Sequence, residues 1–158
     1  MWGMDFIGEF PEKSSGGHAW ILLATNYFTK WVEEIPTKRA TSKVVTDFLL
    51  KNIITRFGCL ERLVVDNAMC FRSDEFMSFC GEYGIQVSHS SPYHRQGNGQ
   101  AESTNKSLIK IIRRMTKKSK KAWDSKLTLA LWVDRVTEKK AIKCAPFDLV
   151  YGIHPRLP

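Results

Sequence analysis

Several absences narrow this sequence before any motif is read. No apolar run approaches the roughly 18 residues a membrane-spanning helix needs, so no membrane partner is expected. Its four cysteines, Cys59, Cys70, Cys80 and Cys144, include no C-x-x-C pair. That spacing excludes a zinc knuckle and a dense disulfide framework, and reduced thiols in an intracellular protein are the expectation. His18, His89, His94 and His154 are scattered, which argues against a zinc site built from them. There is no internal repeat and no low-complexity linker. Residues 1–5 lack a basic stretch leading into an apolar one, so no secretory signal is expected. Acidic residues are the minority charge: 16 Asp and Glu stand against 24 Lys and Arg, a net +8. Such a balance favours a polyanionic partner, nucleic acid first.

What is present fits one domain. A chain of 158 residues supports a single core without disulfide staples. Residues 4–7, 20–25 and 31–35 are short apolar runs joined by brief connections, and they read as an antiparallel meander of three strands. Val44, Val45, Phe48, Leu49, Ile53 and Ile54 then recur at helical spacing, with Thr41 as N-cap and Gly58 as the stop. Residues 62–66 form a fourth strand that ends in Asp66. Ser73 caps a second helix, which runs to Tyr83, and residues 85–88 form a fifth strand. Residues 90–100 hold proline, two glycines and Asn98, and read as a loop. A long helix over 100–118 follows, with Leu108, Ile111, Ile112 and Met115 as its apolar stripe. Another helix covers 122–137, and a last helical turn covers 146–151. Trp20, Trp31, Trp123 and Trp132 all read as core residues. The expected class is α/β: a mixed five-stranded sheet, antiparallel meander then helix-linked strands, flanked by helices.

Three carboxylates stand out by position. Asp5 lies in the first strand, Asp66 ends the fourth, and Glu102 opens the long helix just after the glycine-bearing loop. Strand ends and helix starts are where ligands meet an α/β sheet. Converging carboxylates repel unless a cation joins them, and oxygen-only ligands suit Mg²⁺ or Mn²⁺. Two such ions about 4 Å apart would clamp the attacking and leaving oxygens of a phosphoryl displacement. By position alone, Asp66 could equally cap a turn and Glu102 complement its helix dipole.

The motifs around these residues sharpen the choice. Residues 63–67 (LVVDN), 91–94 (SPYH) and 96–102 (QGNGQAE) closely resemble retroviral and gypsy-like retrotransposon integrases, with 35 residues between Asp66 and Glu102. Residues 2–8, 27–33 and 147–152 resemble that family's first strand, its third strand and its C-terminal core signature. The resemblance implies a ribonuclease H-like fold and a catalytic, metal-binding triad of Asp5, Asp66 and Glu102 with two Mg²⁺ or Mn²⁺ ions. It implies 3′-end processing and strand transfer of element DNA into target DNA. It also implies self-association and a nuclear location. The family's zinc-binding N-terminal and DNA-binding C-terminal domains have no counterpart in residues 1–158, which read as the catalytic core alone. Tyr93, His94, Gln96 and Asn98 occupy the loop that touches DNA in the family. Lys106, Lys110, Arg113 and Arg114 crowd the following helix, where a basic face would hold phosphates.

The chain also departs from the pattern. Ala68 stands where the family usually has glycine, Asn26 where it has aspartate, and Arg95 where it has proline. If position 68 needs a positive φ, alanine strains it. These departures keep open a second reading, a non-catalytic nucleic-acid-binding relic. A ribonuclease H-type nuclease would share the fold but not the 35-residue spacing or the glycine-bearing loop.

Overall fold

The computed structural model of the chain describes residues 1–90, 108–112, 114 and 120–156. Strands β1 (Trp2–Ile7), β2 (Trp20–Asn26) and β3 (Val32–Thr37) form the expected antiparallel meander. Strands β4 (Arg62–Val65) and β5 (Gln86–His89) are added in parallel, giving one sheet of order β3-β2-β1-β4-β5. The non-helical links of residues 8–19 and 27–31 join antiparallel neighbours and the two helical crossovers join parallel ones, because a parallel partner can be reached only by a long connection.

Helix α1 (Ser42–Phe48) begins where Thr41 Oγ1 accepts a hydrogen bond from Val44 N at 3.4 Å. It runs on through a π-helical stretch, Leu49–Ile54, into α2 (Thr55–Phe57), which stops at Gly58 with φ 87°. Helix α3 (Asp74–Glu82) is capped by Ser73, whose Oγ accepts from Phe76 N at 3.2 Å, and Asp74 and Glu75 complement its positive end. Residues 108–112 are the described part of α4. Helix α5 (Trp123–Val136) and helix α6 (Pro146–Tyr151) complete the chain, with Gly152 in the left-handed region ending α6.

The sheet divides two apolar layers. On one face Trp2, Met4, Leu63 and Val65 pack with Val45, Phe48, Phe71 and Phe76. On the other, Ile7, Ile21, Leu23 and Val32 pack with Leu108, Ile112, Trp123, Leu127 and Leu131. Successive strand residues alternate faces, so Gly3 and Asp5 share the second face with Ile7. By the same alternation Val64, and Asp66 after it, turn to that face.

The tryptophan expectation holds in part. Trp31 and Trp123 are buried, and Trp20 is half-buried edge-on to Phe6. Trp132 is 38% exposed. The buried stripe of α5 is Trp123, Leu127, Ala130, Leu131 and Asp134, and Trp132 lies beside it rather than on it.

Candidate active site

Asp5 stands inside β1, and Asp66 is the first residue after β4. The parallel register pairs Trp2 with Leu63 and Gly3 with Val64. Continued two residues, it sets Asp5 beside Asp66 on neighbouring strands, which run about 4.8 Å apart. Each carboxylate is oriented locally. Asp5 Oδ1 accepts from Phe6 N at 2.8 Å, and Asp66 Oδ1 accepts from Ala68 N at 2.9 Å. The segment after Asp66 is tied to neighbouring chain. Asn67 Nδ2 donates to Ser90 O at 3.3 Å, the His89 ring lies 3.0 Å from Phe71 O through Nε2, and Ser73 Oγ donates to Cys70 O at 3.3 Å. Burial, and then the charge of Asp66, push the Cys70 thiol up, so it stays protonated beside the carboxylate.

Two departures from the family pattern change meaning here. Ala68 has φ −60° and ψ 145°, an extended conformation open to any residue. A positive φ was one of two reasons for glycine here, the other being close approach of DNA, and the backbone removes the first; the half-buried methyl packs on the first core layer. Asn26 Oδ1 accepts from Phe28 N and Thr29 N, both at 3.0 Å. An aspartate oxygen would do the same in that turn, so the exchange keeps its structural role.

Glu102, Tyr93, His94, Gln96, Asn98, Lys106 and Arg113 lie outside the described residues, as do Arg95 and Met115. The helix that Glu102 is expected to open is located farther along. Its residues Leu108 and Ile112 are buried against Ile7, Ile21 and Leu23, so α4 covers the face from which Asp5 and Asp66 project. Ile109 and Ile111 are half-buried against the same layer. Lys110 and Arg114 are exposed, with their charges directed away from the core.

Among the described residues no group of three or more His, Cys, Asp or Glu side chains could hold a metal ion. The donors that are described do suit a hydrated hard cation. By strand alternation the two carboxylates share one face, and two buried hydroxyl oxygens near Gly3, Thr25 Oγ1 and Tyr27 Oη, have no hydrogen-bond partner among the described residues.

Two polar clusters were not singled out from the sequence. At the β3 edge, Glu33 is buried and paired to Arg56 at 2.7 Å and Arg135 at 3.0 Å, and it accepts from Trp31 Nε1 at 2.7 Å. Arg135 also donates to Val32 O through Nε (3.0 Å) and Nη2 (2.6 Å) and stacks on Trp31 with its Cζ 4.2 Å from the ring centre. Asp134 pairs with Lys139. Glu34 is buried with neither oxygen bonded among the described residues, and burial pushes its pKa up to about 9, with Arg135 opposing. The second cluster docks the β1–β2 connection on α5. Asp124 Oδ2 accepts from Ser14 Oγ at 2.6 Å and lies 2.9 Å from His18 Nδ1. Hydrogen bonds, those from Ser14 and His18 foremost, hold the Asp124 pKa low against its desolvation. No local sequence signal marks either cluster, because the partners lie far apart along the chain.

Residues 1–95 match the family model described as integrase core domain. The chain is similar to the Gag-Pol polyprotein of avian reticuloendotheliosis virus, 31% identical over 154 residues, covering 98% of this chain and 13% of that protein. It is also similar to the Pol polyprotein of radiation murine leukemia virus (strain Kaplan), 32% identical over 157 residues, covering 99% of this chain and 26% of that protein. It thus spans about a quarter or less of these relatives. Among solved structures, the HTLV-2 integrase catalytic core domain in complex with magnesium (trimeric form) superposes with a TM-score of 0.74 at 20% identity, covering 93% of each chain. The simian T-cell lymphotropic virus intasome in complex with PP2A regulatory subunit B56 gamma gives a TM-score of 0.81 at 23% identity, covering 99% of this chain and 55% of that one. Both describe the same sheet with flanking helices, the ribonuclease H-like fold of integrase cores.

Proposed function

The chain belongs to the integrase core domain family, and from that premise we propose that it is a catalytic core for 3′-end processing and strand transfer of element DNA. The observation that supports the reading is the parallel pairing of β1 with β4, Gly3 opposite Val64, which carried on two residues brings Asp5 level with Asp66 on the face where α4 packs. Glu102, expected at the start of that helix, completes the acidic set. Asp5, Asp66 and Glu102 would hold two Mg²⁺ or Mn²⁺ ions, which when bound stabilise charge on the attacking and leaving oxygens of a phosphodiester. The chain's own part is to fix those carboxylates: the sheet register sets their separation, and the Ala68 amide orients Asp66. Lys106, Lys110, Arg113 and Arg114 would hold phosphates of the element end, and Tyr93, His94, Gln96 and Asn98 would contact DNA near the reacting bond. Self-association and a nuclear location accompany this reading. The trimeric form and the intasome among the similar solved structures support the first.

Ala68 sits in an unstrained conformation, so of the two grounds it offered for the relic reading, backbone strain and crowding of DNA, only the second stands. The test is a strand-transfer assay on a short DNA end with Mg²⁺ or Mn²⁺, with Asp66→Asn as the control and a branched disintegration substrate alongside. Joined product from the unaltered chain, absent in Asp66→Asn, is the expected result. No product on either substrate would contradict the proposal.

A further inference from the structure

Tyr27 follows β2 and turns its ring back over β1. A Cβ built on Gly3 would lie 2.6 Å from Tyr27 Oη and 2.6 Å from Cε1, so the ring fills the space of a side chain at position 3. Gly3 is on the same sheet face as Asp5, two residues farther along β1. Alternate residues of a strand stand about 7 Å apart, a gap that one ordered water and the reach of two side chains close. The hydroxyl lies within electrostatic reach of Asp5. Burial and then that carboxylate's charge push its pKa above the usual tyrosine value, so it stays a neutral hydroxyl at physiological pH. Tyr27 Oη is nonetheless buried with no partner among the described residues, and so is Oγ1 of Thr25, the residue opposite Gly3 in the β1–β2 register. Folded proteins rarely leave buried hydroxyls unsatisfied, and two on the sheet face that carries Asp5 point to an occupant that hydrogen-bonds them.

Resting on the carboxylate reading above, we propose that Tyr27 is a positioning residue of the candidate active site. Its hydroxyl oxygen accepts a hydrogen bond from water carried by a divalent cation at Asp5. Such a cation held by one or two carboxylates keeps several waters, and water polarised by it is a strong donor. Gly3 makes the arrangement possible, because any larger residue there drives the ring aside.

Mn²⁺ titrated into the 158-residue chain, followed by the electron paramagnetic signal of the free ion, tests this. Tyr27→Phe removes only the orphan oxygen. It should leave the metal-free melting temperature unchanged or raised while weakening Mn²⁺ about tenfold, the usual scale for an outer-shell partner. Gly3→Ala, which displaces the ring, should weaken Mn²⁺ likewise, and the double variant should lose no more than the larger single loss. If Tyr27→Phe or Gly3→Ala binds Mn²⁺ within about twofold of the unaltered chain while Asp5→Asn binds none, the hydroxyl only packs and the inference falls alone. If Asp5→Asn binds as well as the unaltered chain, or the unaltered chain binds no Mn²⁺, the carboxylate reading falls with it.

Discussion

Two acidic regions of one sheet face opposite fates. At the β3 edge, the buried carboxylate of Glu33 meets two guanidinium groups, and Asp134 meets Lys139. In the middle of the sheet, Asp66 forms no ion pair among the described residues and takes only the Ala68 amide. The first region is neutralised from within, as a buried charge must be to persist in a folded chain. The second puts two carboxylates on neighbouring strands in a basic protein without using its own Lys or Arg on Asp66. Acidic groups on neighbouring strands repel unless a cation joins them, and the proposed function assigns that part to a divalent ion.

The sharpest way to break this contrast is to neutralise one member of each region. Asp66→Asn should cut strand transfer about a thousandfold or more, the cost of several kcal/mol of lost charge stabilisation. Its melting temperature should barely move, because the amide oxygen of Asn can still accept from Ala68 N. A large fall in stability would instead place Asp66 among the structural acids.

Glu33→Ala should behave in the reverse manner. It strands Arg56 and Arg135, and breaking such a buried pair costs about 3 kcal/mol. Denaturant unfolding measures this directly. A loss below about 1 kcal/mol would mean that the guanidiniums find water and the cluster contributes little.

Much of this was legible in the sequence, for physical reasons that differ by residue. The meander, the caps at Thr41 and Ser73 and the strand-end position of Asp66 follow from local periodicity and capping chemistry, which act over a few residues. Glu33 and Glu34 read as ordinary strand charges, because Arg135 reaches them from α5 and no local rule connects β3 to α5. Trp132 read as core because a helical stripe was judged from apolar content, whereas α5 buries Asp134 in its place. At Ala68 the family's glycine left two readings open, a positive φ or close approach of DNA. The backbone there is extended, so glycine at that position is not required by conformation.

A smaller effect separates Glu34 from its neighbour. Its folded pKa of about 9 lies above the usual 4.5. A raised carboxyl binds its proton more tightly folded than unfolded. Its contribution is therefore fully present below pH 4.5 and is lost as pH rises through about 9, at up to roughly 1.4 kcal/mol per pH unit. Glu34→Gln should flatten the decline of melting temperature over that window. An unchanged profile would show that Glu34 is ionised in the fold, held by Arg135.

The smallest change is expected from Ala68→Gly. With no strain to relieve, glycine should cost about 0.5 kcal/mol through added chain freedom, with the loss read by denaturant unfolding. A gain in stability would contradict the extended conformation at this position. A gain in activity alone would mean that the methyl crowds DNA.

The central claim is that the mid-sheet carboxylates, and not those at the β3 edge, await a cation. Crystals of the chain soaked in Mn²⁺ and measured at an anomalous wavelength address it directly. The account predicts a peak with an oxygen of Asp5 and one of Asp66 each about 2.1 Å away, and none at Glu34 or Asp134. A peak at the β3 edge, or none at Asp5 and Asp66 under saturating Mn²⁺, would contradict it.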